Sequence, residues 1–295
     1  MKTGLRKKIG KLFPKRIRGH LSVYTRKEFW HSSPDPRLAR FFRLRRRAFE
    51  ARRKKGLRTI PIFIISFNRL SYVKQMVEQL ERLGLQNIII VDNASTYPPL
   101  LAYLETTRHK VIRLTKNWGF RVLWEAPGFE KYRRNFYVVT DPDLDLSSCP
   151  PDVMEVLFRA LERFPFIRKA GLSLRLDDIP EDAFAYKEIL AWESRFYEVF
   201  LKRAQVYAAV VDTTFALYPP DFLVQTESFV SAVRTPAPYQ ARHLPWYKND
   251  ANVTEEDVFY SRARTNGSWD AVTKHTQFEE EAKSGVTKNA GKSDI

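Results

Sequence analysis

This 295-residue chain lacks several features that would place it in a familiar class at once. Its single cysteine, Cys149, excludes an intramolecular disulfide and a cysteine-rich zinc site, and is consistent with a reducing compartment. No apolar run approaches the length of a membrane span, and no signal-peptide core comes after the basic start. Glycine is scarce, with 11 residues, and no glycine-rich phosphate loop of the Walker or Rossmann type is present. We therefore expect a cytoplasmic protein that holds any phosphate ligand by other means.

Positive charge is concentrated at one end of the chain. Residues 1–58 contain 21 Lys and Arg and three acidic residues, a net charge of +18, whereas the whole chain carries +16. The remainder therefore carries −2, as expected of an ordinary enzyme body. Within this basic extension, four apolar residues recur at helical spacing among lysines: Leu5, Ile9, Leu12 and Phe13. The pattern is typical of an amphipathic helix on an anionic membrane surface.

A second basic cluster spans residues 37–58 and mixes arginine with Leu38, Phe41, Phe42, Leu44 and Phe49. Three interpretations stay open: an anionic membrane surface, a helix that packs its Phe face on the body and shows Arg to solvent, or binding to nucleic acid phosphates. No nucleic-acid-binding signature surrounds the cluster, so we expect no nucleic acid partner. We expect residues 1–58 to hold the protein peripherally on the inner face of a membrane.

Apolar strands alternate with an amphipathic helix after the basic extension. Residues 60–65 form an apolar run, Val73 to Leu83 repeat at helical spacing until Gly84, and residues 87–91 and 111–114 are further strands. This order predicts an α/β fold with a mostly parallel central sheet and a right-handed crossover. Polar residues at the strand ends should then meet at one sheet edge and outline a nucleotide pocket: Ser66, Asn68, Arg69, Asp92, Asn93, Asn117 and Gly119.

Three carboxylates alternate along the chain directly after the apolar run 136–139, which reads as a buried strand. They are Asp141, Asp143 and Asp145, and Leu144 and Leu146 alternate with them, which argues against a merely solvated acidic loop. Carboxylates at a strand end suit Mg²⁺ or Mn²⁺, which completes its coordination with phosphate and water. A polar turn built on Asp141-Pro142 is the alternative.

Four segments, in this order and spacing, resemble the family 2 glycosyltransferases of GT-A fold: IPIFIISFNR, IIIVDNAST, NWGF and VVTDPDLDL. The likeness covers roughly residues 60–146, and it extends only loosely to the residues after 146. It implies a GT-A-type, Rossmann-like domain and a sugar nucleotide donor, usually a UDP-sugar, with Asp92 near the base. It also implies that Asp141 and Asp143 are the family's DxD pair, although the third acid leaves open whether Asp143 pairs with Asp141 or Asp145.

Two clusters in the second half are candidates for the acceptor side. His243 could be a metal or phosphate ligand, while Trp246 suits stacking on a sugar ring and Tyr247 lies next to it; a packed loop is the alternative. Residues 254–257 combine a capping-box pattern, with Thr254 as N-cap and Asp257 at N3, with a likeness to the acidic pair that supplies the base in the family. The resemblance points to Asp257, with Glu256 or Glu255 as the base if Asp257 is occupied by capping.

The sequence thus predicts a basic extension (1–58), a catalytic domain (59–275, divided at 146 into donor and acceptor halves) and a flexible polar tail (276–295). The expected activity is metal-dependent, inverting transfer of a hexose or N-acetylhexosamine from a nucleotide diphosphate sugar to a glycan, lipid-linked or lipopolysaccharide hydroxyl. The alternatives are a nucleotidyltransferase with a similar sheet and metal site, and a nucleic-acid-binding protein that uses the basic arm.

Overall fold

The computed structural model describes residues 36–211, 214–224 and 231–263, except for the side chain of Leu38. The predicted helix at residues 5–13 and the predicted tail at 276–295 lie outside these residues. The helices of the described part, in chain order, are α1 (Pro36–Lys55), α2 (Leu70–Arg82), α3 (Pro98–Thr106), α4 (Val122–Glu125), α5 (Glu130–Arg133), α6 (Val153–Arg163), α7 (Tyr186–Glu193) and α8 (Glu255–Ala263). None of these helices is long and apolar enough to cross a membrane.

The strands of the described part form two sheets. They are β1 (Ile62–Ser66), β2 (Ile88–Asp92), β3 (Lys110–Arg113), β4 (Tyr137–Thr140), β5 (Leu144–Asp145), β6 (Lys169–Gly171), β7 (Ser173–Leu174), β8 (Phe200–Leu201), β9 (Val206–Tyr207), β10 (Ala216–Tyr218), β11 (Ala232–Arg234) and β12 (Gln240–His243). The central sheet has the order β3-β2-β1-β4-β10-β6-β11-β9-β8, and a small sheet has the order β5-β12-β7. The predicted α/β fold around a large central sheet is confirmed.

The first half of the central sheet is parallel throughout. Strand β1 lies between β2 and β4 and runs parallel to both, and β3 pairs parallel with β2. Helix α2 connects β1 to β2, as the helical spacing of its apolar residues predicts, and it ends where Gly84 adopts a φ of 70°. Glycine adopts a positive φ easily, so Gly84 can follow the C-cap Leu83 and end the helix.

The two faces of the sheet pack against separate apolar cores. Side chains alternate along a strand, so Ile62 and Ile64 of β1 face one core while Phe63 and Ile65 face the other. The larger core also takes in side chains from α1, α2, α3 and α6, whereas the smaller core is closed by α4 and the segment around Phe129. Strands buried on both faces read as continuous apolar runs, which is why the sequence indicates them clearly.

Helix α1 packs on the larger core, although it belongs to the predicted basic extension. Phe49 is buried and contacts the rings of Phe136 and Phe158, with both ring centroids 4.8 Å away. Arg45 is also buried and donates to the carbonyl oxygen of Leu161, and burial lowers its pKa to about 10. Of the three interpretations of residues 37–58, these contacts agree with a helix that packs its Phe face on the body.

The second half of the chain has shorter strands than its apolar runs predict. The run 170–176 is divided between β6 of the central sheet and β7 of the small sheet, because β6 pairs with β10 and β11 while β7 pairs with β12. Only the first two residues of the apolar stretch 206–211 form a strand, β9, and the next strand, β10, has three residues. Apolar content alone does not reveal such a change of sheet within one run.

Candidate functional site

The predicted meeting of strand ends at one sheet edge is confirmed by the strand register. Ser66 at the end of β1 pairs with Asp92 at the end of β2, and Asp92 in turn pairs with Arg113 at the end of β3. On the other side of β1, Ile64 pairs with Thr140, so Asp141 lies next along the chain at the same edge. Ligands of open α/β sheets bind outside the carboxyl ends of the strands, and this edge is therefore the candidate site.

The three alternating carboxylates have different surroundings. Asp141, Asp143 and Asp145 are half-buried, while Pro142, Leu144 and Leu146 between them are buried, as the alternation predicts. The carboxylate of Asp145 accepts from the backbone N–H of Ser147 at 2.7 Å, from its hydroxyl at 3.0 Å and from Arg242 at 3.1 Å. Burial alone would raise the pKa of Asp145, but these hydrogen bonds outweigh it and lower the pKa. Asp145 is thus committed to the small sheet.

Asp143 lies between two side chains that can carry positive charge. Its Oδ2 is 3.6 Å from Nη1 of Arg69 and 3.6 Å from Nε2 of His243, distances longer than a hydrogen bond. Its Oδ1 is buried and has no hydrogen-bond partner among the described residues, although 17% of the side chain is exposed. An unused carboxylate oxygen of this kind is uncommon in a protein interior and points to a ligand position.

Arg69 reaches Asp143 from the turn after β1 and is held by aromatic rings. Its guanidinium carbon is 3.8 Å from the ring centroid of Tyr260 in α8 and 4.9 Å from that of Tyr72 in α2. The side chain is 3% exposed, so these rings and Asp143 replace much of the water that would hydrate its charge. The sequence gives no local sign that Tyr260 belongs to this site, because it lies 191 positions after Arg69.

Asn68 braces the site instead of facing into it. It adopts a φ of 51°, and its side-chain oxygen accepts from the backbone N–H groups of Thr96 and Tyr97 at 2.6 and 2.9 Å. Its own N–H donates to Ser95 at 2.9 Å. Because the amide oxygen is used in this way, the side-chain NH₂ group, which is buried and has no hydrogen-bond partner among the described residues, is the part of Asn68 that remains for a ligand.

Asp92 is buried and engaged beside Asn68. One carboxylate oxygen accepts from the N–H of Ser95 at 3.1 Å, and the other is 3.7 Å from Nε of Arg113. Arg113 is half-exposed and was missed in the sequence, although its position at the end of a strand could have indicated it. Ser66 next to Asp92 is fully buried, and its hydroxyl has no hydrogen-bond partner in the described part of the chain.

Asn93, which follows β2, is hydrogen-bonded to the loop that follows β3. The side chain of Asn93 accepts from the N–H of Trp118 at 2.8 Å and donates to the carbonyl of Gly119 at 3.0 Å. Asn117 accepts from the N–H of Gly119 at 2.8 Å, and Gly119 has a φ of 67°. Asn117 and Gly119 are exposed, so the loop forms a wall of the edge with polar groups facing solvent.

The predicted capping box at the start of α8 is confirmed. Asp257 accepts from the N–H of Thr254 at 3.0 Å and from its hydroxyl at 2.8 Å, and Asp257 N–H donates back to that hydroxyl at 3.3 Å. Lys248 adds an ion pair at 2.7 Å. Burial alone would raise the pKa of Asp257, but the bonds from Lys248 and Thr254 outweigh it and lower the pKa. A carboxylate stabilised in its charged form is a weak proton acceptor.

Glu256 is used by a different helix. Its two carboxylate oxygens accept from the N–H of Ser71 at 3.0 and 3.2 Å, and one also accepts from the Ser71 hydroxyl. Ser71 lies in the first turn of α2, where backbone N–H groups lack partners and negative charge is favoured. Glu255 is exposed, and its carboxylate makes no hydrogen bond or ion pair with a described residue. The fold thus uses two of the three candidate bases as helix caps.

The predicted acceptor cluster is brought to the acidic edge by β12. Strand β12 pairs antiparallel with β5, and the N–H of Leu244 donates to the carbonyl of Asp143 at 2.9 Å. His243 thereby lies beside Asp143, with its ring centroid 4.9 Å from that of Trp246. Trp246 is only 4% exposed and belongs to the larger core, so its ring is not available to stack on a sugar in this conformation. Trp246 therefore fits the alternative in which this segment is a packed loop.

Tyr247 is held by a charged network next to the small sheet. Its hydroxyl donates to Asp178 at 2.6 Å, and burial together with this bond raises its pKa. Asp178 also accepts from Arg242 at 2.6 Å, and Arg242 joins it to Asp145. The sequence does not indicate this network, because its members come from distant segments.

No preformed multi-ligand metal site is present in the described part of the chain: no three His, Cys, Asp or Glu side chains are grouped to hold a metal ion. The residues that are present nevertheless fit a cation that shares its coordination with a phosphate ligand. Mg²⁺ needs only one or two protein carboxylates in such sites, and the buried Oδ1 of Asp143 is an unused hard oxygen ligand.

The fold is that of an α/β protein, and its candidate ligand site lies at the carboxyl ends of the parallel strands. No protein-family model matches the chain, and no curated protein matches it. Among solved structures, it is similar to glucosyl-3-phosphoglycerate synthase from Mycobacterium tuberculosis in complex with phosphoglyceric acid, at 15% identity and a TM-score of 0.33. The match covers 59% of this chain and 60% of that one. A likeness at this TM-score does not establish a shared fold or activity.

Proposed function

We propose that this protein is a glycosyltransferase of GT-A type that uses a nucleotide diphosphate sugar, with a UDP-hexose or UDP-N-acetylhexosamine as the first candidate. The observation that carries the proposal is the buried, unpartnered Oδ1 of Asp143 at the edge where β1, β2 and β4 end. The resemblance of residues 60–146 to family 2 enzymes supports it independently. The acceptor is a hydroxyl of a glycan or a lipid-linked glycan.

Asp141 and Asp143 are the proposed ligands of Mg²⁺ or Mn²⁺. Asp145 is left out, because Ser147 and Arg242 already use its oxygens. A divalent cation at this position would neutralise negative charge on the diphosphate leaving group. His243 stays a candidate ligand of the cation or of a phosphate, since its Nε2 is 3.6 Å from Asp143.

Arg69 is the proposed second positive charge for the diphosphate. Its guanidinium is buried between the rings of Tyr72 and Tyr260 and is therefore fixed in place before any ligand binds. A fixed charge in a water-poor site stabilises developing negative charge without having to reorganise. Asn68 and Asp92 are proposed to position the pocket wall, because their polar atoms hold the loop 95–97.

The proposed chemistry is direct displacement with inversion. A carboxylate takes the proton of the acceptor hydroxyl, the acceptor oxygen bonds to the anomeric carbon, and the bond from that carbon to the β-phosphate oxygen breaks. The electron pair leaves with the nucleoside diphosphate. The base is proposed among residues 255–257, and Glu255 is the member with a carboxylate not used in capping. If Asp257 or Glu256 is the base, its cap has to open during turnover.

Calorimetry of UDP binding to the full chain, with and without Mn²⁺, tests the donor site. We expect binding that Mn²⁺ strengthens by at least tenfold, with GDP and CDP measured alongside to identify the base. Absence of binding to all three nucleotides would overturn the proposal. Product analysis with a UDP-sugar then separates the two enzymatic alternatives, because a glycosyltransferase releases UDP whereas a nucleotidyltransferase breaks the bond at the α-phosphate.

A further inference from the structure

Some basic residues of α1 attach the helix to the body, and others lie on the side of the helix that faces away from the body. Arg45 donates to the Leu161 carbonyl, Arg52 donates to the side chain of Thr59 at 3.1 Å, and Arg53 bonds Glu162 at 2.8 Å. These three arginines attach the helix to the body. Arg45 and Arg52 are buried and therefore not available to an external partner, whereas Arg53 stays exposed in its ion pair.

Four other cations of α1 lie on the face that points away from the body. Arg40, Arg43, Arg47 and Lys54 are at i, i+3, i+7 and i+14, so they form one stripe along the helix. All four are exposed, and none makes a hydrogen bond or ion pair with a residue of the described part. The stripe is about 21 Å long at 1.5 Å of rise per residue. We call these four residues the outer stripe.

We propose that the outer stripe docks the protein on an anionic phospholipid bilayer. A straight line of cations on the outside of a domain matches a flat, negatively charged surface along its whole length. Leu44, which is 41% exposed, lies beside the stripe and gives a large apolar side chain for the boundary between head groups and acyl chains. The 35 residues before α1 carry ten further Lys and Arg, so the same charge continues along the chain. This proposal does not depend on the proposed transfer reaction.

Only one side of α1 can take part, because the other side is buried. The Phe49 side of the helix fills the larger core, so deletion of the helix would expose Phe136 and Phe158 and test folding instead of docking. Point substitutions in the full chain avoid this problem, because the residues of the outer stripe contribute little to the packing of the helix.

The experiment compares a stripe variant with a control of equal charge change. The stripe variant carries R40Q, R43Q, R47Q and K54Q. The control carries R134Q, K187Q, K202Q and R203Q, four exposed cations elsewhere in the chain. Both full-length variants and the wild type are sedimented with vesicles of neutral lipid alone and with vesicles containing about 30% anionic phospholipid, a composition that gives the surface a negative potential. Melting temperature and UDP binding are measured on the same samples.

We expect the wild type and the control to sediment with anionic vesicles. Neither protein should bind vesicles of neutral lipid. The stripe variant should bind anionic vesicles at least about tenfold more weakly, since each cation near such a surface contributes about fivefold in affinity. Binding should also fall as salt is raised. Equal binding of the stripe variant and the wild type would overturn the proposal. So would a wild type that binds duplex DNA of matched charge but not anionic vesicles. UDP binding that fails in all three proteins would instead remove the proposed function and leave this test intact.

Discussion

Asp143 at the sheet edge and Asp257 at the start of α8 differ in how far the fold has already used their carboxylates. Asp143 keeps a buried oxygen without a hydrogen bond to any described residue, and its neighbours Arg69 and His243 are 3.6 Å away. Asp257 is 2% exposed and accepts hydrogen bonds from Lys248 and Thr254. A polar group that is satisfied within the fold contributes to stability, whereas a buried unsatisfied one costs free energy and calls for a further role such as binding an ion. Asp143 and Asp257 should therefore respond in opposite ways to the same substitution.

The largest effect is expected from Asp143→Asn on sugar transfer. The amide keeps the shape of the side chain and removes the negative charge that would hold a divalent cation. We expect the rate to fall about a hundredfold or more, which corresponds to about 2.7 kcal/mol in the barrier. The melting temperature should change little, since the lost contacts are longer than hydrogen bonds. A variant that turns over at the wild-type rate would contradict the role given to Asp143.

The next effect is expected from Asp257→Asn on stability. The substitution weakens a charge-assisted bond to Lys248 and the capping box with Thr254. Bonds to charged groups of this kind contribute about 1.5–3 kcal/mol, so the free energy of unfolding should fall by about that amount. Urea unfolding measures it. A stable Asp257→Asn protein with a large loss of turnover would instead identify Asp257 as the base.

A smaller loss of stability is expected from Glu256→Gln. The glutamine keeps an oxygen for the Ser71 N–H but loses the charge that favours the start of α2. The expected cost is about 1 kcal/mol, typical of a weakened helix cap. Glu255→Gln is the matched control, because the Glu255 side chain is exposed and makes no hydrogen bond or ion pair with a described residue. If Glu255→Gln abolishes transfer without affecting stability, Glu255 is the base.

The smallest effect concerns pH. The pKa of Asp257 lies below its ordinary value of 3.8, so its contribution to stability is present above that value and is lost as the pH falls through the lowered one. The stability difference between the wild type and Asp257→Asn should therefore be constant from about pH 7 to about pH 5 and shrink below about pH 4. Unfolding curves across this range test the sign. A difference that persists unchanged well below the ordinary pKa of an aspartate would show that the charge of Asp257 is not what stabilises the helix.

The part of the fold that could be predicted is the part set by local pattern. Short stretches of sequence are enough to indicate several features. These are the apolar runs of β1 and β2, the helical spacing of the apolar residues of α2 with its end at Gly84, and the capping box of Thr254 and Asp257. Because parallel strands align their carboxyl ends, the meeting of Asp92 with Ser66 could be predicted from topology alone.

The part that could not be predicted depends on contacts between distant segments. Ser71 and Glu256 are 185 positions apart, and Asp145 and Arg242 are 97 apart. These bonds decide which acids remain for a ligand, and no local pattern indicates them. Trp246 shows the same limit, since a tryptophan beside His243 reads equally as a sugar platform or as core, and only packing places it in the core.

The most direct test is to measure Mn²⁺-dependent UDP affinity and melting temperature together for Asp143→Asn and Asp257→Asn. Each substitution replaces one carboxylate oxygen by an NH₂ group, so the two proteins differ only in which acid is changed. We predict that Asp143→Asn loses the Mn²⁺ dependence of UDP binding and keeps its melting temperature, while Asp257→Asn melts several degrees lower and keeps the Mn²⁺ dependence. The reverse pattern, or full Mn²⁺-dependent binding in Asp143→Asn, would contradict the assignment of the sheet edge as the donor site.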